Sequence, residues 1–171
     1  MTGIVRVEPA FQFEIDDAVK EYADMVYRLA VLNTSSKIEA EDIFQEVFLK
    51  LFRHKDRIKS EAHLKAWLIR VTINQCRSVM SSAWKRKTVS MEAVAETAAP
   101  QEEDYSEVYD AVKALPEKYR QVIHLFYYEQ LSIAQISQLL DRNEATVKTQ
   151  LSRGRSLLKD KLKGGFPNGG I

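Results

Sequence analysis

Residues 131–163 constrain the fold more than any other stretch, because they encode two amphipathic helices separated by a tight break. The first helix is predicted over residues 132–140 from a recurring apolar face of Ile133, Ile136, Leu139 and Leu140. Ser132 begins it with a hydroxyl that can accept hydrogen bonds from the exposed amides of a first helical turn. Residues 141–143 then interrupt the apolar pattern with side chains that tolerate turns. This order is typical of a helix-turn-helix unit.

The second helix of this unit, beginning at Glu144, has an apolar face and a basic face. Its apolar residues are spaced by three or four positions and predict a core-facing stripe of Val147, Leu151, Gly154, Leu158 and Leu162. Residues 142–163 hold seven Lys or Arg against two acidic residues, although the net charge of the whole chain is only +1. This concentrated charge favours a surface that reads nucleic acid, and the alternative is an ordinary solvated basic helix.

Length and composition allow one domain or two small ones, since 171 residues with 45% hydrophobic content can bury real cores. The single cysteine, Cys76, cannot form an internal disulfide, so we expect a reducing cytoplasmic location. The chain has neither a signal-peptide pattern near its start nor a run of 18 apolar residues. We therefore expect neither export nor membrane insertion.

An acidic segment divides the chain in two. Residues 89–110 contain seven acidic residues and no basic ones, with Pro100 and little amphipathic order. We predict a domain over residues 12–87, a flexible acidic linker over 88–105, a second domain over 106–163, and a flexible Gly-rich tail over 164–171.

Both domains are predicted to be helical, which gives an all-α fold of two small bundles. The first has a helix ending near Leu32, one over residues 39–52 and one over 61–85. The second has a helix that starts at Leu115-Pro116, because proline is tolerated in a first helical turn. Its predicted buried face is formed by Tyr119, Val122, Ile123, Phe126 and Tyr127.

The helix over residues 61–85 carries a narrow polar row between two apolar stripes. The row consists of Arg70, Asn74, Arg77 and Ser81, at spacings of four, three and four. Two positive charges beside an amide suit a ligand-facing edge. The alternative is that Arg70 pairs with an acidic residue of the first helix.

Taken in order, several segments of the chain resemble the sigma-70 family, and specifically its small extracytoplasmic-function group, which retains conserved regions 2 and 4. In the first half the resemblance rests on residues 40–48 (AEDIFQEVF) and 66–74 (AWLIRVTIN). In the second half it rests on residues 115–120 (LPEKYR), 131–136 (LSIAQI) and 145–155 (ATVKTQLSRGR). The resemblance implies a factor that binds core RNA polymerase and directs promoter-specific transcription initiation.

The same resemblance implies roles for particular residues of the first domain. Asp42, Gln45 and Glu46 would contact core RNA polymerase. The polar row, through Arg70, Asn74 and Arg77, would bind the minus-10 promoter element as a single strand, together with the loop over residues 54–60. Asn74 matches the position that meets an extruded base, and an amide offers both donors and an acceptor to a base edge.

In the second domain the resemblance implies that the last helix lies in the major groove of the minus-35 element. Thr146, Thr149, Ser152 and Arg153 are the expected base contacts, whereas Lys148 and Arg155 are expected at phosphates. The linker would run through the polymerase near the path of nascent RNA, or serve as a plain spacer. Such factors are commonly held inactive by an anti-sigma partner, so we expect one here.

The chain departs from the family pattern at the helix-turn-helix turn. Asp141 stands where glycine is usual, Arg142 and Asn143 replace a small apolar residue and proline, and Gln150 replaces a frequent arginine. These changes bear on which promoter sequence is read. Asparagine and aspartate still suit a turn, so they do not argue against binding itself.

A stand-alone helix-turn-helix regulator, with a dimerisation or sensor domain at its N-terminus, is the main alternative. An enzyme is disfavoured because the sequence has no phosphate-cradling glycine loop, no metal-ligand cluster and no nucleophile motif, and its three histidines are scattered. We accordingly expect no catalytic residues, no metal and no cofactor.

Overall fold

The computed structural model describes residues 10–89 and 107–163, and every regular element in these ranges is helical. The acidic segment from residue 90 to 106 and the tail from residue 164 lie outside the described residues. The N-terminal helices are α1 (Ile15–Leu32), α2 (Lys37–His54) and α3 (Glu61–Val89), with a 3₁₀ turn at Lys55–Arg57. The C-terminal helices are α4 (Glu107–Lys113), α5 (Glu117–Ile123), α6 (Ile133–Leu140) and α7 (Glu144–Lys161), with a π-helical turn at His124–Tyr128.

The chain turns at residues 33–36, in the gap between the first two predicted helices, and side chains close both helix ends. Where α1 ends, the Thr34 hydroxyl donates to the Ala30 carbonyl at 2.7 Å and the Asn33 side chain donates to the Leu29 carbonyl at 2.8 Å. The Ser36 hydroxyl accepts from the Glu39 amide at 3.2 Å and caps α2. This cap explains why α2 begins two residues before the predicted start.

The N-terminal helices pack around one apolar core, to which α3 contributes from two sides. One predicted stripe buries Leu64 and Leu68, and the other buries Ile69, Ile73 and Cys76. Trp67 and Val71 of the first stripe are half-buried and Met80 at the end of the second is exposed, so each stripe is buried only in part. Burial raises the pKa of the Cys76 thiol to about 12.

The C-terminal helices bury the predicted stripe of α7 against α5. Gly154 lies at a close approach of the two helices, since a Cβ atom built there would come within 2.9 Å of Ile123 Cγ1. The prediction that Tyr127 belongs to the buried face is wrong, because 41% of its surface is exposed. The chain leaves α-helical geometry after Ile123, and the Glu129 amide donates to the His124 carbonyl at 3.3 Å in a π turn. The wider turn rotates Tyr127 outward.

The two groups of helices contact each other through a buried carboxylate, Glu129, which is only 7% exposed. Arg28 of α1 lies 3.4 Å from its Oε1 atom, and His124 Nε2 lies 3.2 Å from the same oxygen. Lys65 of α3 donates to the Glu129 carbonyl at 3.2 Å. Burial alone would raise the pKa of the Glu129 carboxyl, but its contact with His124 and the positive charges of Arg28 and Lys65 outweigh burial and lower it.

Candidate nucleic-acid and polymerase interfaces

The helix-turn-helix unit is built by local capping. Ser132 and Gln135 form a reciprocal capping box, in which the Gln135 amide donates to the Ser132 hydroxyl at 3.1 Å and the Ser132 amide donates to the Gln135 side chain at 2.9 Å. Asp141 ends α6 in the left-handed conformation, with φ of 54°. Asn143 then caps α7 by accepting from the Thr146 amide at 2.8 Å. The predicted turn is thus confirmed, with aspartate adopting the conformation for which glycine is more common.

Four predicted minus-35 residues share one side of α7, which we call the reading face: Thr146, Thr149, Ser152 and Arg153. All except the half-buried Thr146 are exposed. Thr149 donates its hydroxyl to the Ala145 carbonyl at 3.0 Å, one turn back. Because the opposite side of α7 is buried, this face is the one free to enter a groove.

A shallow hollow adjoins the reading face and extends it onto α5. It is lined by Lys118, Tyr119, Asn143, Ala145, Thr146, Thr149, Gln150 and Arg153. Tyr119 and Arg153 line this hollow together, and the neighbouring Arg153 guanidinium lowers the pKa of the Tyr119 hydroxyl. Tyr119 belongs to the predicted buried face, and the structure shows it half-buried, packed against the core while also lining this hollow.

The two predicted phosphate contacts differ in their surroundings. Lys148 is exposed at the edge of α7. Arg155 is half-buried and donates to the Tyr127 hydroxyl, while its guanidinium lies 5.6 Å from the ring centroids of both Phe126 and Tyr127. The structure therefore holds Arg155 against the π turn, away from the hollow, where stacking on aromatic rings restricts its reach.

The polar row of α3 is exposed, but it faces the C-terminal helices. Arg70 donates to the Gln138 carbonyl of α6 at 3.4 Å, and Arg77 Nε lies 3.1 Å from Glu117 Oε1 of α5. The partner of Arg70 is thus a carbonyl of α6, where the alternative anticipated an acid of α1. Between the row and α6 lies a cleft, which Asn74 also lines.

On its other side Asn74 lines a second hollow, beside the loop that precedes α3. His54 is the last residue of α2 and Arg57 lies in the 3₁₀ turn that follows, while Trp67 and Lys50 come from α3 and α2. The rings of His54 and Trp67 have centroids 6.2 Å apart. The loop over residues 54–60 and the polar row, which were linked only through the family resemblance, therefore meet around an aromatic and basic hollow.

The outward side of α2 carries the three predicted polymerase contacts. Asp42 and Gln45 are exposed and Glu46 is half-buried. The same side bears an apolar stripe that the sequence analysis missed: Ile38, Leu49 and Phe52, which are 63%, 51% and 68% exposed. Their spacing places them along the line of Asp42 and Gln45. The available signal was that Leu49 and Phe52 fall outside the buried period of α2.

Comparison with known proteins decides the family. The Sigma-70 region 2 model matches residues 18–86, and the Sigma-70 region 4 model matches residues 105–158. The ECF RNA polymerase sigma factor SigL of Mycobacterium tuberculosis is 31% identical, over 88% of this chain and 88% of SigL. The chain belongs to the sigma-70 family. SigW of Bacillus subtilis, another ECF sigma factor, is 29% identical over 94% of this chain and 95% of SigW.

The fold of this sigma factor is also that of a solved relative. The sigma factor RpoE of Bartonella quintana, in complex with the anti-sigma factor NepR, aligns with a TM-score of 0.74. The alignment covers 88% of this chain and 98% of RpoE at 23% identity.

This sigma factor therefore binds core RNA polymerase and directs promoter-specific transcription initiation, and it is not an enzyme. The stand-alone regulator is not favoured. Within residues 10–89 and 107–163, no helix has the length and apolar character needed to cross a membrane.

Proposed function

We propose that this sigma factor divides promoter recognition among three surfaces: α2 docks on core RNA polymerase, α3 with its preceding loop holds the minus-10 element, and α7 reads the minus-35 element. In this proposal residues 12–87 form the first working unit and residues 106–163 the second, joined by the linker over 88–105. The single observation that carries the proposal is that one chain combines an exposed apolar stripe on α2 with the reading face on α7.

Polymerase docking by α2 is supported by the apolar stripe beside the acidic side chains. Three large apolar residues aligned on one exposed helix face favour a partner groove, because solvation of such a face costs free energy that binding recovers. Asp42 and Glu46 add negative charge that orients the helix toward a basic partner. Phe52, the most exposed of the three apolar residues, is the expected anchor.

Minus-10 capture is supported by the hollow around Asn74. Its amide can donate and accept at a base edge, and the ring of Trp67 offers a surface for a base that has left the stack. Arg57 and Lys50, at the same hollow, supply positive charge for the phosphates. The proposal therefore extends the site from the polar row to residues of α2 and the loop.

Minus-35 reading is supported by the charge and shape of α7. The reading face has small side chains that allow a close approach to bases, and Arg153 can reach a guanine edge. Lys148 is free to meet a phosphate, whereas Arg155 first has to leave its aromatic contacts. We expect Lys148 to contribute more than Arg155 to binding of any duplex.

We further propose that this sigma factor acts in the cytoplasm and is held inactive there by an anti-sigma protein. Membership of the family supports the location. The solved RpoE is bound to its anti-sigma factor NepR, which supports the partner. The exposed apolar stripe on α2 is a surface that such a partner can cover.

The test is transcription with purified core RNA polymerase on a promoter library, using the full chain and Phe52→Ala. We expect promoter-dependent transcripts with the natural chain, and retention of the variant on polymerase weakened by about tenfold or more. Lys37→Ala, in the first turn of the same helix, is the control. Equal retention of Phe52→Ala and the natural chain would contradict docking through the stripe, and duplex binding without any transcripts would favour the regulator.

A further inference from the structure

Two of the positions where this chain departs from its family are hydrogen-bonded to each other. Arg142, in the turn, donates from Nη1 to Oε1 of Gln150 on α7 at 2.9 Å. The same guanidinium donates from Nη2 to Oε1 of Gln121 on α5 at 2.9 Å. Arg142, one side chain of the turn, thus links α7 to α5.

The anchor of Arg142 is itself held in place. Gln121 is only 3% exposed, and its Nε2 donates to Glu117 Oε1 at 2.9 Å. Arg142 also approaches the Lys118 carbonyl at 3.4 Å. Because a planar guanidinium with several fixed acceptors has little rotational freedom, its bond to Gln150 restrains that side chain as well.

The bond fixes which end of the Gln150 amide is available. Arginine has only donors, so the Gln150 atom that faces Arg142 is the carbonyl oxygen. The NH₂ group is therefore the end left for a ligand. Gln150 lines the hollow together with Thr146, Thr149 and Arg153, so this donor lies beside the reading face.

A glutamine restrained in this way reads bases differently from a free one. The usual pairing of glutamine with adenine is bidentate and needs the amide oxygen to accept from adenine N6 while the amide nitrogen donates to N7. With the oxygen bound to Arg142, only donation remains. In the major groove guanine offers two acceptors, O6 and N7, whereas cytosine offers a donor and adenine offers one donor and one acceptor.

We propose that Arg142 is a positioning residue that makes Gln150 a donor-only reader of one base of the minus-35 element, with guanine as the preferred base. This inference rests on the proposed entry of α7 into the major groove. It accounts for two sequence departures with one interaction, since neither side chain can have this role without the other.

The test uses holoenzyme made from the full chain and core RNA polymerase, with linear promoter DNA randomised across the minus-35 element. With the natural chain we expect guanine enrichment at one position. Gln150→Ala is expected to remove that enrichment, by about tenfold, and to leave the other positions unchanged. Arg142→Ala is expected to shift the same position toward adenine, because the freed amide can then pair through both its atoms.

Three further variants complete the test. Arg142→Lys keeps one donor facing Gln150 and should retain the guanine preference, and it serves if Arg142→Ala fails to fold. The double variant Arg142→Ala with Gln150→Ala should match Gln150→Ala alone. Lys161→Ala, which removes an exposed charge at the end of the same helix, should leave the base profile unchanged.

The inference is overturned if Arg142→Ala lowers binding of all sequences equally, or if the two single variants alter different positions. It is also overturned if the double variant gains adenine preference. If the natural holoenzyme selects no minus-35 sequence at all, the proposed role of α7 fails, and this inference fails with it. Selection by the natural chain without a change in the variants rejects the inference alone.

Discussion

The polar row of α3 and the reading face of α7 are both exposed and both carry arginine, but they differ in what already touches them. Arg70 and Arg77 of the row contact α6 and α5 of the same chain. On α7, Thr149, Ser152 and Arg153 are exposed, and Arg153 shares a shallow hollow with Tyr119 of α5. If the proposed roles hold, the reading face of α7 can meet duplex DNA as it stands, whereas the polar row of α3 has to exchange contacts within the chain for contacts with nucleic acid.

The two proposed targets would account for this contrast. A recognition helix reads an intact duplex, so its face can be formed in advance. A single strand exists only after the duplex is opened, and unstacking a base costs a few kcal/mol. Until then, weak contacts such as a half-exposed ion pair can cover the polar row, because breaking such contacts costs little free energy.

The largest expected effect is that of Asn74→Ala, which distinguishes the polar row of α3 from the docking surface on α2. Asn74→Ala should reduce transcripts from duplex promoters by about tenfold to a hundredfold, because a base-edge contact of this kind is worth roughly 1–3 kcal/mol. Retention on core polymerase should be unchanged. Measurement of both quantities, with Ser78→Ala on the same helix as control, tests this, and loss of retention would show that Asn74 belongs to the docking surface.

On the other face, Arg153→Ala should weaken binding of minus-35 duplex by about 1–3 kcal/mol and relax selectivity at one position. Titration of holoenzyme with fluorescent duplex at fixed salt measures this loss, beside Lys161→Ala as the charge-matched control. If the two variants bind alike, Arg153 does not read a base.

The contact between the two helical groups should depend on pH through Glu129. Since its pKa is lowered in the folded chain, its stabilising contribution is present above the ordinary glutamate pKa and is lost as pH falls through the lowered folded value. Glu129→Gln should cost about 1 kcal/mol at neutral pH and flatten the acid limb of a stability profile. Thermal unfolding between neutral and acid pH measures both. An acid limb identical in variant and natural chain would contradict this assignment.

A smaller effect distinguishes Lys148 from Arg155. Lys148→Ala should lower the slope of log affinity against log salt by about 1, as expected for one lost phosphate contact. Arg155→Ala should change the slope less, because this side chain is bound to Phe126 and Tyr127. Equal slopes for the two variants would mean that Arg155 leaves its aromatic contacts on binding.

The smallest expected effect concerns the cover of the polar row. Glu117→Gln removes the charge partner of Arg77, and because both side chains are about half exposed the pair is worth at most about 1 kcal/mol. We expect a slight increase in the mean distance between fluorophores on α2 and α7, observed by energy transfer. A shorter distance would contradict a holding role for this pair.

The parts of the fold that could be predicted from sequence are those set by local chemistry. The cap at Ser132, the turn at residues 141–143 and the buried stripe of α7 each depend on neighbours within four residues, so the spacing alone predicts them. The start of α2 lies two residues before the predicted one, also for a local reason, because Ser36 caps the helix.

The parts that could not be predicted depend on contacts distant in sequence or on geometry without a residue signature. The π turn that exposes Tyr127 has no such signature, and the docking of Arg28 on Glu129 joins residues 101 positions apart. The bond between Arg142 and Gln150 crosses the turn, where the backbone path decides whether two side chains meet. Roles of particular residues came from the family resemblance, because no periodicity distinguishes a base contact from a solvated side chain.

The burial of Cys76 limits how this sigma factor can respond to oxidants. Cys76 has the only thiol in the sequence, and its raised pKa leaves almost no thiolate at neutral pH, the form that oxidants and electrophiles attack. Oxidants that attack thiolates therefore find almost no reactive form of Cys76. A stimulus sensed by cysteine chemistry has to be detected by a different molecule and to reach this sigma factor as a change of binding partner.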